Sequence, residues 1–331
     1  MSRDRRRAPR RAILLGLGAL LAPLLLVAPA SAAPLPEGVE RIGIEVQGLP
    51  RQALVEAPEA PEAPAPILPG AKPPRPDPLP TLILLHDRGQ SALQVRALAD
   101  LARAEPFRGW LRVYPEGGAR TWNAGRRRVD GGEAVRTPDV AFLRALVAKL
   151  AEDGLADPSR IILAGFGEGG AMVLRTLCEA PGLVQGAAIV GATWPASLNC
   201  SLGRPTSVLV FNGTEDPVAP WTGGQARGEH KIGAGALASV DRTISSLVAM
   251  NDCRAPLDET LPHGAGRKRI WFACEAPLMQ WKIDGMGHRW PGAPDQGREG
   301  DGLGPPTPEG APDATVMIAA FFVSLVERPG P

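Results

Sequence analysis

The sequence predicts an α/β fold, a mostly parallel central sheet with helices on both faces. Three observations lead there. Residues 81–85, 161–164 and 208–211 are continuous apolar runs of strand length. They lack the in-out alternation of a half-exposed strand, so they fit strands buried on both faces. Between them lie segments of helical period, clearest at residues 139–153, where Val140, Leu143, Val147 and Leu150 share one stripe. Strands alternating with helices imply crossover connections and therefore parallel neighbours.

Length and composition agree. A chain of 331 residues with 44% hydrophobic and 21% charged residues is an ordinary globular sequence, long enough for one large α/β domain. A net charge of +1 gives no reason to expect nucleic acid or an anionic membrane as partner. Residues 1–32 read as a targeting segment. Arg3, Arg5, Arg6, Arg7, Arg10 and Arg11 form a basic region, residues 12–27 are apolar, and Ala30-Ser31-Ala32 is an A-x-A cleavage site. Arg10-Arg11 also resembles a twin-arginine export signal. Cleavage would leave no stable membrane anchor and would place the product outside the cell, in the periplasm or in the envelope. In that oxidising setting the four cysteines suggest two disulfides. Of three possible pairings, Cys178–Cys200 and Cys253–Cys274 are nearest in sequence and are preferred. No C-x-x-C or paired-histidine spacing points to a metal.

Taken in order, residues 33–57 hold an alternating stretch at 40–56 that suggests an edge strand or hairpin. Residues 58–80 contain ten prolines, which cannot donate ladder hydrogen bonds, and read as an extended surface loop. The rest of the domain, residues 81–328, opens with the strand at 81–85. A helix at 92–104, a strand at 111–114 and a loop carrying Trp122-Asn123 follow. The helix at 139–153 leads to the strand beginning at 161, then to strands at 187–190 and 208–211. A helix at 236–250, strands at 269–274 and 278–283, a loop at 285–291 and a closing helix at 312–327 complete the chain.

The chemistry gathers around Gly165-Phe166-Gly167-Glu168-Gly169. A strand ends there in glycines and a helix begins at once, the layout of the nucleophile elbow G-x-S-x-G. The serine position is Gly167. Two further loops stand in the chain order nucleophile, acid, base: Asp216 in Gly-Thr-Glu-Asp-Pro after a buried strand, and His288 in Gly-Met-Gly-His-Arg-Trp-Pro. His86-Asp87-Arg88-Gly89-Gln90 follows the first central strand, where backbone N–H groups complete an oxyanion hole. The same glycines satisfy G-x-G-x-x-G, a dinucleotide-binding pattern. The strand at 187–190 lacks the acidic residue that would hold a ribose, which leaves nucleotide binding a minor alternative.

With these motifs in place, residues 80–325 resemble the secreted polyhydroxybutyrate depolymerase-like and feruloyl esterase-like α/β-hydrolases. The resemblance rests on Leu85-His86 with Gly89-Gln90-Ser91, Tyr114-Pro115-Glu116-Gly117 and Trp122-Asn123-Ala124-Gly125. It continues through Asp139–Leu143, Asp157-Pro158-Ser159-Arg160, Gly213–Pro217 and Gly287–Gly292. It implies the α/β-hydrolase fold, carboxylic ester hydrolysis without a cofactor, and a small-molecule or polymer ester or glycan as partner. By position, Asp216 would orient His288 as general base. The backbone N–H of Glu168 and one near Arg88 would face the oxyanion, and Trp122 and Trp290 would line the cleft with Trp221. The departures are Gly167 for the serine and Asp87 for the glycine after the loop histidine. Without an oxygen at 167 no serine acyl-enzyme can form. The expectation is a degenerate member that binds an ester, aromatic acid or glycan. The alternative is slow ester hydrolysis by water activated by His288 and Asp216. The Glu168 side chain is expected to point away from the cleft, Arg126-Arg127-Arg128 to be an exposed loop face, and His230 and His263 to be solvated.

Overall fold

The computed structural model describes residues 34–58, 77–126, 137–198, 200, 203–227, 235–294 and 301–326. The targeting segment, most of the proline-rich stretch, Arg127, Arg128 and His230 lie outside them. The architecture is a single ten-stranded sheet in the order β1-β2-β4-β3-β5-β6-β7-β10-β9-β8. Its middle is parallel: β4 (Leu111–Pro115), β3 (Leu79–Leu85), β5 (Ala156–Phe166), β6 (Gly186–Val190), β7 (Ser207–Gly213) and β10 (Leu278–Ile283). These are the apolar runs of the sequence, and residues 82–85, 161–164 and 208–211 are buried throughout. A mostly parallel sheet flanked by helices is the α/β-hydrolase fold.

Antiparallel strands finish both edges. The stretch at 40–56 is a hairpin of β1 (Val39–Val46) and β2 (Leu49–Glu56), and β2 pairs with β4. Gln47 and Gly48 both have positive φ, 53° and 77°. Such a two-residue connection matches the twist of the strands it joins. At the far edge β9 (Gly266–Trp271) pairs with β10 and with β8 (Pro256–Thr260), a strand the sequence did not suggest. All five residues of β8 are exposed, so it carries no hydrophobic alternation. Its ladder is supported by charge: Asp258 lies opposite Arg269 and Glu259 opposite Lys268.

Among the described residues, six α-helices flank the sheet. The predicted helix at 92–104 is α1 (Ala92–Ala99), ended by Asp100 in the left-handed conformation and followed by a short 3-10 turn. A four-residue helix α2 (Glu105–Arg108) leads into β4, and α3 spans Asp139–Glu152. Helix α4 (Glu168–Glu179) starts one residue after β5 ends. Helix α5 (Val240–Met250) begins later than expected because the Ser239 side chain caps it, accepting from the Arg242 N–H. Helix α6 (Ala314–Val326) places Phe322 against β6, where a Cβ on Gly186 would lie 2.3 Å from its ring. Both preferred disulfides are present. Cys178 in α4 joins Cys200, and Cys253 after α5 joins Cys274 after β9. No described helix is long and apolar enough to cross a membrane.

Candidate functional site

Three loops at the C-terminal ends of β3, β5 and β7 meet above the sheet, joined by the loop after β10. The elbow is built by close approach. A Cβ on Gly165 would lie 2.4 Å from the Gly169 backbone, and one on Gly169 would lie 2.5 Å from the Leu85 carbonyl oxygen. Only glycines let α4 spring directly from β5 at this distance. Gly167 itself has φ 53° and ψ −118°, the strained geometry of an elbow residue, and donates its N–H to the Val190 carbonyl at 2.9 Å.

Asp216 and His288 come together behind it. Asp216 Oδ1 accepts the backbone N–H groups of Val218 and Ala219 at 2.7 Å each, which fixes the carboxylate. Its Oδ2 lies 2.7 Å from His288 Nδ1. The His288 ring stacks on Phe166 at 4.8 Å between centroids and is 1% exposed. Its Nε2 faces the elbow.

What Nε2 meets there is Asp87. The Asp87 Oδ2 is 3.2 Å from His288 Nε2, and Oδ1 accepts the Glu168 N–H at 2.7 Å. A Cβ built on Gly167 would lie 2.1 Å from Asp87 Oδ1 and 2.2 Å from its Cγ. Contacts that short do not occur, so the Asp87 carboxylate fills the space a side chain at 167 would need. The sequence suggested two independent departures in two loops. In the structure they are complementary: the glycine vacates a space and the aspartate occupies it.

Asp87 is held there by its own loop. The His86 ring is fully buried, accepts the Gly117 N–H on Nε2 at 2.9 Å and donates from Nδ1 to the Asp87 carbonyl at 2.7 Å. Gln90 accepts the Asp87 N–H at 3.2 Å. This positioning role of His86 could be sought in the sequence only through its place beside Asp87.

The charges follow. Burial works against an imidazolium at His288, but the Asp216 and Asp87 carboxylates outweigh it and push its pKa up to about 10. Burial likewise opposes the charge on Asp87. The His288 cation and the backbone N–H groups of Glu168 and Arg88 prevail and lower its pKa below the usual carboxylate value. The resting site is therefore carboxylate, imidazolium, carboxylate. Both N–H groups expected to form the oxyanion hole act on the protein's own carboxylate.

The Glu168 residue is 6% exposed, and its carboxylate turns to the loop after β4, accepting from Thr121 Oγ1 at 2.5 Å, from the Trp122 N–H at 3.0 Å and from the Arg88 guanidinium. Trp122 and Trp290 do not line the cleft as the sequence suggested. They are 1% and 0% exposed, with Trp122 Nε1 donating to the His86 carbonyl and Trp290 Nε1 to Thr315 Oγ1. They order the loops from beneath. Trp221 is only partly buried and packs at the edge of the core, away from the cavity lining. His263 is exposed, as expected. Arg126 is not part of an exposed face: it lines the cavity and holds the Gly235 carbonyl through Nε and Nη2 at 3.0 and 2.8 Å. Burial and the neighbouring Arg88 bring its pKa down to about 10.

The cavity in front of Asp87 measures about 350 Å³. Apolar residues such as Ala171, Ala192, Val218, Leu237 and Leu303 make up much of its wall, and Arg88, Gln90, Arg126, Glu168 and Thr193 join Asp87 as its polar members. The size and lining are those of a small-molecule site. A dinucleotide fits poorly, because the helix N-terminus that would receive its pyrophosphate already carries the Asp87 carboxylate.

Parts of the chain are similar to known proteins. Residues 137–238 match the phospholipase/carboxylesterase family. NocK of Nocardia uniformis subsp. tsuyamanensis, which bears an esterase name, is 33% identical over 156 residues, 47% of this chain and 45% of that protein. Feruloyl esterase B of Piromyces equi is 28% identical over 153 residues, 44% of this chain and 27% of that protein. The chain thus matches less than half the length of these relatives. Among solved structures, acetyl xylan esterase from Aspergillus awamori is 11% identical with a TM-score of 0.45, covering 72% of this chain and 89% of that one. The sheet has the α/β-hydrolase fold, and over residues 137–238 the chain is similar to the phospholipase/carboxylesterase family.

Proposed function

We propose that the protein is an exported α/β-hydrolase of the polyhydroxybutyrate depolymerase and feruloyl esterase kind. In this reading it holds an ester, an aromatic acid or a glycan-borne ester and does not carry out serine acyl transfer. The observation that supports it most is the Asp87 carboxylate in the space of the missing side chain at Gly167, with a formed cavity in front of it. Retention of the cavity together with loss of the hydroxyl favours binding over ester turnover. Export rests on the basic, apolar and A-x-A pattern of residues 1–32 and on two disulfides.

Slow hydrolysis by water activated at His288 is the weaker reading. A general base must be neutral to accept a proton, and an imidazole pushed to about pKa 10 is protonated at neutral pH. Water also finds the Glu168 N–H already engaged by Asp87, so an acyl oxyanion gains little there. Titrating the purified mature protein with methyl ferulate in a calorimeter, while monitoring ferulate release, tests the reading. Saturable binding without release is expected. Release that disappears in His288→Ala would show that ester hydrolysis persists and overturn it.

A further inference from the structure

We propose that the outer face of α6 and the uncovered sheet face beside it form an interface with a second copy of this chain. This goes beyond the ester-binding reading and does not rest on it. The groove between the two faces is lined by Ser207, which opens β7, and by Pro277, just before β10. It therefore lies toward the N-terminal ends of the strands, away from the loops that build the cavity.

The 13 residues of α6 include no charged side chain. A helix that is apolar all round belongs in an interior, because a solvated face selects polar and charged residues. One side of α6 is interior, with Ile318, Ala319 and Phe322 buried. The opposite side is not: Val316 is 40% exposed, and Ala320 and Ser324 are exposed one and two turns further on. The sheet beside this helix is uncovered as well. Leu257 of β8, Ile270 of β9 and Met279 of β10 stand opposite one another in the ladder, so they share one face. Met279 lines the same groove as Ala320 and Phe321, which makes this the α6 side of the sheet. Leu257 is 56% exposed, and Ile270 and Met279 are only half-buried. The groove measures about 700 Å³. A contiguous apolar surface of this kind marks an interaction site.

The two faces complement each other. A two-fold axis builds an interface from one patch used twice. With that axis perpendicular to α6, the helix of each copy lies on the Leu257–Ile270–Met279 face of the other, and the two helices run antiparallel. The small side chains of Ala320 and Ser324 let the helices approach closely where they cross. Charge selects the same partner. The α6 helix brings no carboxylate or ammonium to be buried unpaired, and Lys268 in the groove is already bound to Glu259 at 3.0 Å. A neutral, apolar helix face fits such a groove better than a charged one. Extent agrees too. A helix of 13 residues is about 20 Å long, and three strands are about 15 Å wide. Helix and sheet faces together offer on the order of 500 Å² in projection from each copy, the scale of the roughly 800 Å² of accessible surface that a specific interface takes from each partner.

The test is sedimentation velocity of the full mature protein from about 1 to about 100 μM. Wild type is expected to sediment as a dimer at the upper end of that range. Ala320→Glu places a carboxylate in the helix face, and Leu257→Lys places an ammonium on the facing strands. Each is expected to weaken association by about 10²-fold or more, because the new charge is buried without a partner. Leu49→Glu, at an exposed position on the opposite edge of the sheet, is expected to leave association unchanged. Wild type that stays monomeric throughout, a dimer retained by either face variant, or equal weakening by Leu49→Glu overturns the proposal. A second readout introduces no charge and does not depend on those variants. Leu257→p-benzoylphenylalanine is irradiated in a mixture of ¹⁴N- and ¹⁵N-labelled chains that have exchanged subunits. Capture of the α6 peptide from the opposite label is expected, and capture only within single chains overturns the proposal.

Discussion

At Gly167 a hydrogen replaces a side chain, and the carboxylate of Asp87 stands where that side chain would be. A Cβ at this position would come within 2.1 Å of the carboxylate, which leaves no room for both. Gly167→Ser is therefore expected to destabilise the fold by about 1–3 kcal/mol, the range for overpacking a filled site. Asp87→Gly in the same molecule should relieve most of that loss, a coupling measurable by urea unfolding of the two single variants and the double. The ion triad makes a second expectation at this scale. His288 has a folded pKa above its reference value of 6.5, so its contribution to stability is complete below about pH 6.5 and is lost as pH rises toward about 10. Asp87 has a lowered pKa, so its contribution is complete above its reference value of 3.8 and is lost as pH falls through the folded value. A ¹⁵N titration should find His288 doubly protonated at pH 8 in wild type, with a lower pKa in Asp87→Asn. A neutral ring at pH 8 in wild type would contradict the triad. Of these residues, positions 167, 216 and 288 were legible because motif and chain order identify them. The fit of Asp87 to Gly167 was not, because the two lie far apart in the chain and only the fold brings them into contact. Trp122 and Trp290 misled for a related reason: tryptophans in loops after strands resemble a ligand platform until their burial is known.

The elements were legible where burial dictates pattern. Strands β6 and β7, with β3 from Thr81 and β5 from Ile161, are buried on both faces and announce themselves as apolar runs. The exposed β8 strand has no such constraint; it is fixed by ladder bonds and by Asp258–Arg269 and Glu259–Lys268 pairs that no periodicity encodes. Helix α1 ends early at Asp100, whose left-handed conformation no single residue type announces. The disulfides tie peripheral elements to the core, closing loops with sequence separations of 22 and 21 residues. Loops of this size correspond to about 3 kcal/mol each in a chain-entropy account. Replacing Cys253 and Cys274 together by alanine should lower unfolding stability by about 2–4 kcal/mol while leaving the remote Asp87 site able to bind methyl ferulate. Loss of binding in a folded double variant would show that the far edge of the sheet supports the cavity.

Across the whole molecule, the parallel sheet places loop ends at one edge, and the site forms where those ends converge. That arrangement explains why fold and site location could be read together: a parallel sheet covered by helices binds ligands beyond the carboxyl ends of its strands. It also separates fold from chemistry. The α/β-hydrolase frame brings an elbow, an acid and a histidine together, and at the elbow residue Gly167 a carboxylate from another loop faces that histidine. Sequence order revealed the frame, and only three-dimensional contact revealed the place of Asp87.

Hydrolysis of p-nitrophenyl acetate by wild type, Gly167→Ser, Asp87→Gly and the Asp87→Gly/Gly167→Ser double variant tests the reciprocal fit most directly. Activity confined to the double variant, with a signal at least about 10²-fold above either single variant, is the expected result. Equal activity in Gly167→Ser alone would mean that serine and Asp87 coexist, and that the carboxylate does not hold the nucleophile's place.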